Sequence, residues 1–197
     1  MTWIQIPKDM LIHTDSSMVE AIVLSTYVDF RNNYTDSTYL QERAILAPTN
    51  EIADLVNDFV LSMVPTEIKE YFSSDSIAAS PDAVQEADVF YPPEFLNVQS
   101  VVNFPEHKLV LKKGAPIMLL RNLSQSTGMC NGTRLIITEL ADRVIQAVIL
   151  TGSHVGHTVY IHRIELTAKK TKWPFVLQRR QFPIRLCYAM TINKSQG

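Results

Sequence analysis

Apolar positions repeat with a helical period in the first third of the chain and in short strand-like runs after about Val98. Over 14–30, acids and hydroxyls lead into Met18, Val19, Ile22 and Val23, which fall on one helical face. Ser17 and Glu20 stand at capping-box spacing, so a helix is predicted to start there. Residues 32–36 are predicted as a loop. Arg43–Ala47 is a short apolar run ended by Pro48, the pattern of a buried strand. Thr49 or Asn50 then caps a predicted helix with Ile52, Leu55, Val56, Phe59, Val60 and Met63 on one stripe, stopped by Pro65. Strand, capped turn and amphipathic helix form one α/β unit.

Between 73 and 97 the chain turns polar and acidic, which predicts a long surface excursion. Short apolar runs then follow at 109–111, 116–120, 134–138, 144–150, 158–161, 164–166 and 175–177, separated by turn residues. That spacing predicts a small antiparallel β-barrel or a strongly bent sheet. A last strand-like run over 184–192 precedes polar Asn193-Lys-Ser-Gln-Gly197.

Composition narrows the class only a little. The 197 residues suffice for one large domain or two small ones, and 46% hydrophobic with 19% charged residues is ordinary for a globular protein. A net charge of −2 leaves any nucleic-acid role to local basic patches. Cys130 and Cys187 lie far apart without CxxC spacing, which fits a reducing compartment and argues against a disulfide framework. His154, His157 and His162 lack an accompanying acid or Cys at ligand spacing, so no metal site is expected. No apolar run approaches the roughly 18 residues needed to cross a bilayer, and no membrane partner is expected.

The chain contains no Gly-x-x-x-x-Gly-Lys-Ser/Thr phosphate loop and no strand ending in paired carboxylates. A nucleoside triphosphate therefore has no primary site, and independent ATP hydrolysis is not expected. The final segment is the sharpest positive feature. A strand ending in Thr191 and followed by Asn193, Lys194, Ser195, Gln196 and Gly197 sets hydroxyls, an amide and an ammonium at the strand edge where α/β sheets bind ligands. The same residues also suit an ordinary polar strand exit. Asn131-Gly132 signals a turn, and Arg121-Asn122 follows an apolar strand from which an arginine can reach a phosphate. Lys169, Lys170, Lys172, Arg179 and Arg180 crowd around Trp173 and Phe175, a mixture suited to single-stranded DNA or to a solvated face. Cys187, in an apolar run, is expected in the core.

Phe182-Pro-Ile-Arg-Leu-Cys-Tyr-Ala-Met-Thr-Ile-Asn-Lys-Ser-Gln-Gly197 resembles the fifth motif of superfamily 1 DNA helicases, most closely the petite-integration-frequency family and its Helitron-transposon relatives in plants. Arg43-Ala-Ile-Leu-Ala-Pro-Thr-Asn-Glu51 with Asn57, Gly114–Asn122, Gly128–Arg134 and Trp173–Pro183 resemble further blocks of that family in the right order. The likeness runs from about Ile4 onward. It implies an α/β fold: a partial RecA-like second helicase domain over 1–140, an inserted small β-barrel over 141–182, and a return strand with the fifth motif over 183–197. It implies an ATP-dependent DNA helicase moving 5′ to 3′ in the full-length parent, with ATP and Mg2+ as cofactors there and none bound by this chain alone. Implied partners are single-stranded DNA and a first RecA-like domain, in the nucleus or alternatively the mitochondrion. Relatives serve genome maintenance, including repair, recombination and telomere maintenance, and rolling-circle transposition. Carried over by position, Thr191, Asn193, Lys194, Ser195, Gln196 and Gly197 are DNA-binding or coupling residues. Asn193 departs from the histidine many relatives carry there, and an asparagine cannot take a charge. Thr49, Asn50, Arg121, Asn122, Asn131, Gly132, Lys169, Lys170, Lys172 and Trp173 are further candidate contacts. The alternative is a vestigial fragment that binds nucleic acid or a protein partner without catalysis.

Overall fold

The computed structural model describes residues 7–8, 11–12, 17–78, 91–168 and 173–192. Helix α1 runs Met18–Thr26 and starts where the capping box predicts, with Ser17 Oγ accepting from the Glu20 amide at 3.5 Å. Its inward residue is Val23, with Val19 and Ile22 packed alongside, while Met18 faces solvent. The predicted loop at 32–36 is partly helical: α2 spans Phe30–Asn33 and α3 spans Ser37–Gln41. Asp36, read as part of that loop, caps α3 by accepting from the amides of Thr38 and Tyr39.

Strand β1 (Ile45–Ala47) leads through Pro48 into α4 (Asn50–Met63), as the apolar run and cap foretell. The buried stripe of α4 is turned from the expected one. Ala53, Val56, Asn57, Val60 and Leu61 face the core, while Ile52 and Leu55 are exposed. The helix packs over a two-stranded parallel sheet made by β1 and the last strand of the chain, β12 (Ala189–Thr191), in the register Ile45↔Ala189, Leu46↔Met190, Ala47↔Thr191. These are the parallel strands that the α/β reading requires.

All remaining pairs are antiparallel. Strand β2 (Ile68–Phe72) pairs with β4 (Lys108–Lys112). Strand β3 (Ser74–Ile77) pairs with β10 (Leu177–Gln181), which also pairs with β9 (Ile164–Ala168). A five-stranded sheet has the order β11 (Ile184–Leu186), β5 (Pro116–Leu119), β6 (Arg134–Leu140), β7 (Val144–Ile149), β8 (Thr158–His162). Helix α5 covers Pro93–Asn97.

Two expectations change. The expected small barrel over 141–182 does not close among the described residues. Strand β7 is hydrogen-bonded to β6, and β11 joins the same sheet through β5, so pairing runs straight through both expected boundaries. The segment read as a surface excursion at 73–97 is integral to the fold where it is described: β3 lies on β10, and Leu96 is buried. Three buried clusters result among the described residues. The largest joins α1, α4 and the five-stranded sheet; a smaller core gathers Leu96, Phe104, Leu166, Phe175 and Leu177; the third holds Met118, Cys187 and Met190.

Candidate nucleic-acid interface

Because β1 and β12 run in parallel, both end at one edge, with Ala47 opposite Thr191. The chain leaves β1 at that edge and turns at once into α4, so Thr49, Asn50 and Thr191 belong to one region. The edge is anchored from behind. Asn57, buried on α4, accepts from the Ala189 amide at 2.8 Å and donates to the carbonyls of Ala189 and Leu186 at 3.1 and 3.5 Å. One amide side chain thereby holds β12 and the end of β11 in place. Met118, Cys187 and Met190 pack behind β12, and Cys187 is buried. Tyr27 donates from its hydroxyl to the Tyr188 carbonyl at 2.6 Å.

The residues at the edge differ in what they have left to offer a ligand. Thr49 is the α4 cap: its Oγ1 accepts from the Ile52 amide at 3.4 Å. A hydrogen bond from the backbone amide, and then one from the Thr49 hydroxyl, hold the Glu51 carboxyl below the usual carboxylate range. Thr49 is thus occupied by its own helix. Asn50, half-buried, accepts from Arg185 Nη1 at 3.1 Å through Oδ1, and Arg185 also pairs with Asp54. Thr191 is half-buried. Asn193, Lys194, Ser195, Gln196 and Gly197 lie outside the described residues.

Beside this edge opens a cavity of about 440 Å³ whose walls include Asn50, Asp54, Asp58, Val101, Glu106 and Arg185. Burial, and then the neighbouring Asp54, push the Asp58 carboxyl above its ordinary value. The acids Glu51, Asp54 and Asp58 repeat at helical spacing on α4, a signal present in the sequence but passed over in favour of the apolar stripe. This acidic wall, without a phosphate-loop lysine, does not fit a nucleoside triphosphate, whose phosphates need a cationic cradle. Among the described residues no group of three His, Cys, Asp or Glu could hold a metal ion.

A second group lies between β5 and β6. The Asn131 amide donates to Asn122 Oδ1 at 2.7 Å, joining two residues named separately from the sequence. The Gly132 amide donates to the Leu119 carbonyl at 2.9 Å, with φ +86° and open space where a Cβ would stand. That turn needs glycine for its backbone angle. Arg121 is half-buried, and its Nη1 donates to the Leu120 carbonyl at 3.4 Å. Arg134, two residues beyond Gly132, is buried and donates to the carbonyls of Leu40, Gln41 and Arg43, on the approach to β1. The turn and the β1–β12 edge share no hydrogen bond among the described residues.

The basic and aromatic cluster divides. Trp173 stacks on Phe175 at 5.4 Å and 10° and packs on the smaller core. Arg180 is exposed. Arg179, expected at the surface, is fully buried: it takes both Asp75 carboxylate oxygens and donates to the carbonyls of Pro105, Leu96, Asn97 and Gln99. It is a structural residue. Lys169, Lys170 and Lys172 lie outside the described residues. The His154 and His157 rings meet edge to face at 5.5 Å. No helix among the described residues is long and apolar enough to cross a membrane.

Residues 94–140 match the family model for the 2B domain of the DNA helicase Pif1. The chain is 32% identical over 145 residues to the human ATP-dependent DNA helicase PIF1, covering 73% of this chain and 20% of that protein. It therefore spans about a fifth of that curated relative. An unliganded Pif1 from Bacteroides superimposes with a TM-score of 0.54 at 23% identity, covering 82% of this chain and 45% of that one. A Bacteroides Pif1 bound to single-stranded DNA gives 0.54 at 20% identity, over 92% and 41%. At these identities the superpositions speak for the fold, which is the mixed α/β fold of Pif1 helicases. Family model, sequence relatives and fold thus agree in making this chain similar to part of a Pif1 DNA helicase.

Proposed function

We propose that this chain is a portion of an ATP-dependent DNA helicase moving 5′ to 3′, of the plant or Helitron-like branch. Its share of the work is to hold single-stranded DNA and to couple that grip to a nucleotide site formed with a first RecA-like domain. The observation carrying this reading is the parallel pairing of β1 with β12, which brings Thr191, Asn50 and the start of α4 to one strand edge. Open α/β sheets bind ligands at that edge. Lys194, three residues after Thr191 in sequence, supplies the charge that the acidic α4 lacks. ATP and Mg2+ belong to the parent, acting in the nucleus; this chain alone does not hydrolyse ATP.

The test is fluorescence anisotropy of a labelled oligothymidine at two salt concentrations. Binding should weaken as salt rises, because phosphate contacts release counterions. Lys194→Ala should weaken binding and reduce the salt slope by about one. Absence of binding at either salt concentration would sink the reading and leave a vestigial fragment.

A further inference from the structure

Asn50 is the first residue of α4, and its side chain is not left to choose its own orientation. Arg185, on β11, donates Nη1 to Asn50 Oδ1 at 3.1 Å, and the Nη2 of the same guanidinium pairs with Asp54. A guanidinium can only donate, so the Asn50 atom facing it is the oxygen. The amide nitrogen is then turned away from Arg185, and it has no partner among the described residues. What Asn50 offers is therefore a pair of N–H donors, and a phosphate oxygen is an acceptor. Its neighbour Thr49 has no such freedom, being engaged with Ile52 and Glu51.

Charge around the same point makes Arg185 matter twice. Glu51, Asp54, Asp58 and Glu106 line the adjoining cavity and would repel a phosphate. Lys108, the other cation lining it, is paired with Glu70 at 2.8 Å. Arg185 stands between Asp54 and Asn50 and offsets the carboxylate nearest to the amide.

We propose that Arg185 is a positioning residue: it holds the Asn50 amide as a donor to a phosphate of single-stranded DNA and cancels the Asp54 charge beside it. The inference rests on the reading that the β1–β12 edge meets single-stranded DNA.

The experiment is a double-mutant cycle on the 197-residue chain with the oligothymidine probe, each variant also checked for a cooperative melt. Asn50→Ala and Arg185→Met should each weaken binding about tenfold, the scale of one hydrogen bond to a charged group. The Asn50→Ala/Arg185→Met double variant should be no weaker than either single one. Arg185→Lys, which keeps one donor and the charge, should recover part of the loss. In Arg185→Met/Asp54→Asn the local charge balance is restored and no carboxylate is left unpaired, yet binding should stay weak because the clamp is gone.

Full recovery in that neutral pair would overturn the proposal, since Arg185 would then act by charge alone. Additive losses in the Asn50/Arg185 cycle, or unchanged affinity in either single variant, would overturn it too. In those cases the unmodified chain still binds and the parent reading stands. Absence of binding by the unmodified chain removes both.

Discussion

At the scale of single residues, the two tyrosines beneath β12 do different work despite touching. Tyr27 and Tyr188 meet edge to face at 5.9 Å, and Tyr188 also meets Phe30 at 5.7 Å. Burial raises both phenols well above their ordinary value, so neither ionises while the fold is intact. The Tyr27 hydroxyl holds the Tyr188 carbonyl, whereas the Tyr188 hydroxyl is buried with no hydrogen-bond partner among the described residues. The Tyr188 carbonyl also accepts from the Ile45 amide at 3.0 Å, so losing the Tyr27 donor removes one of its two hydrogen bonds, a net cost of about 0.5–1.5 kcal/mol. Removing a hydroxyl that makes no bond costs little and spares its desolvation. Tyr27→Phe should therefore lower stability by about 1 kcal/mol, while Tyr188→Phe should be neutral or stabilising. Urea denaturation of both variants checks this; equal losses would show that the Tyr27 hydrogen bond does not set the two hydroxyls apart. Neither role was legible in the sequence. The contact spans 161 positions, and the period of 18–30 shows which face of α1 is apolar but not which carbonyl lies above it.

Elements were legible in proportion to how locally they are determined. The α1 and α4 caps, β1, and the apolar runs of β4 through β9 follow from side-chain period and turn chemistry, which act over a few residues. Strand β3, Ser-Asp-Ser-Ile, has no such pattern; it exists because β10 offers it an edge and Arg179 waits for Asp75. The same tertiary pairing took Arg179 out of the basic cluster in which its sequence neighbours placed it. Both side chains of this pair are fully buried. Breaking a buried pair leaves one charge uncompensated, which costs about 3–5 kcal/mol, whereas removing both charges together is far cheaper. Arg179→Met should thus cost about 3–5 kcal/mol and detach β3 with α5, whose end carbonyls Arg179 also holds. Arg179→Met/Asp75→Asn should recover more than half of that loss. Denaturant midpoints give the coupling directly, and additive losses would show that the carbonyl contacts, not Asp75, dominate.

For the whole molecule, the candidate site was legible as a list but not as an arrangement. Residue types and order named Thr49, Asn50 and Thr191, yet only the parallel register joins them, and Arg185, the cation beside them, lies within the Phe182–Gly197 segment with nothing in its spacing to set it apart. The same register leaves Leu46 without cover, although its cross-strand neighbour Met190 is buried against Met118 and Cys187. A parallel sheet ordinarily has helices on both faces. Here α4 packs on one face, while Leu46, alternating with buried Ile45 and Ala47, is 53% exposed on β1. Among the described residues β1 and β12 have no other strand neighbours, so each carries an unpaired edge, the arrangement that invites strand addition between copies. Ile52 and Leu55 add exposed apolar area on α4. The chain should accordingly self-associate as its concentration rises, through contacts that salt does not weaken. Leu46→Lys removes an apolar group worth about 1 kcal/mol per copy at half burial and sets like charges against each other in any such pairing. It should move the association midpoint to about tenfold higher concentration without lowering the monomer's stability, since Leu46 contributes little to the core. Sedimentation velocity over a concentration series, at low and high salt, reads both. A monomer at every concentration, or association abolished by salt, would show that charged surfaces rather than the open sheet govern how copies meet.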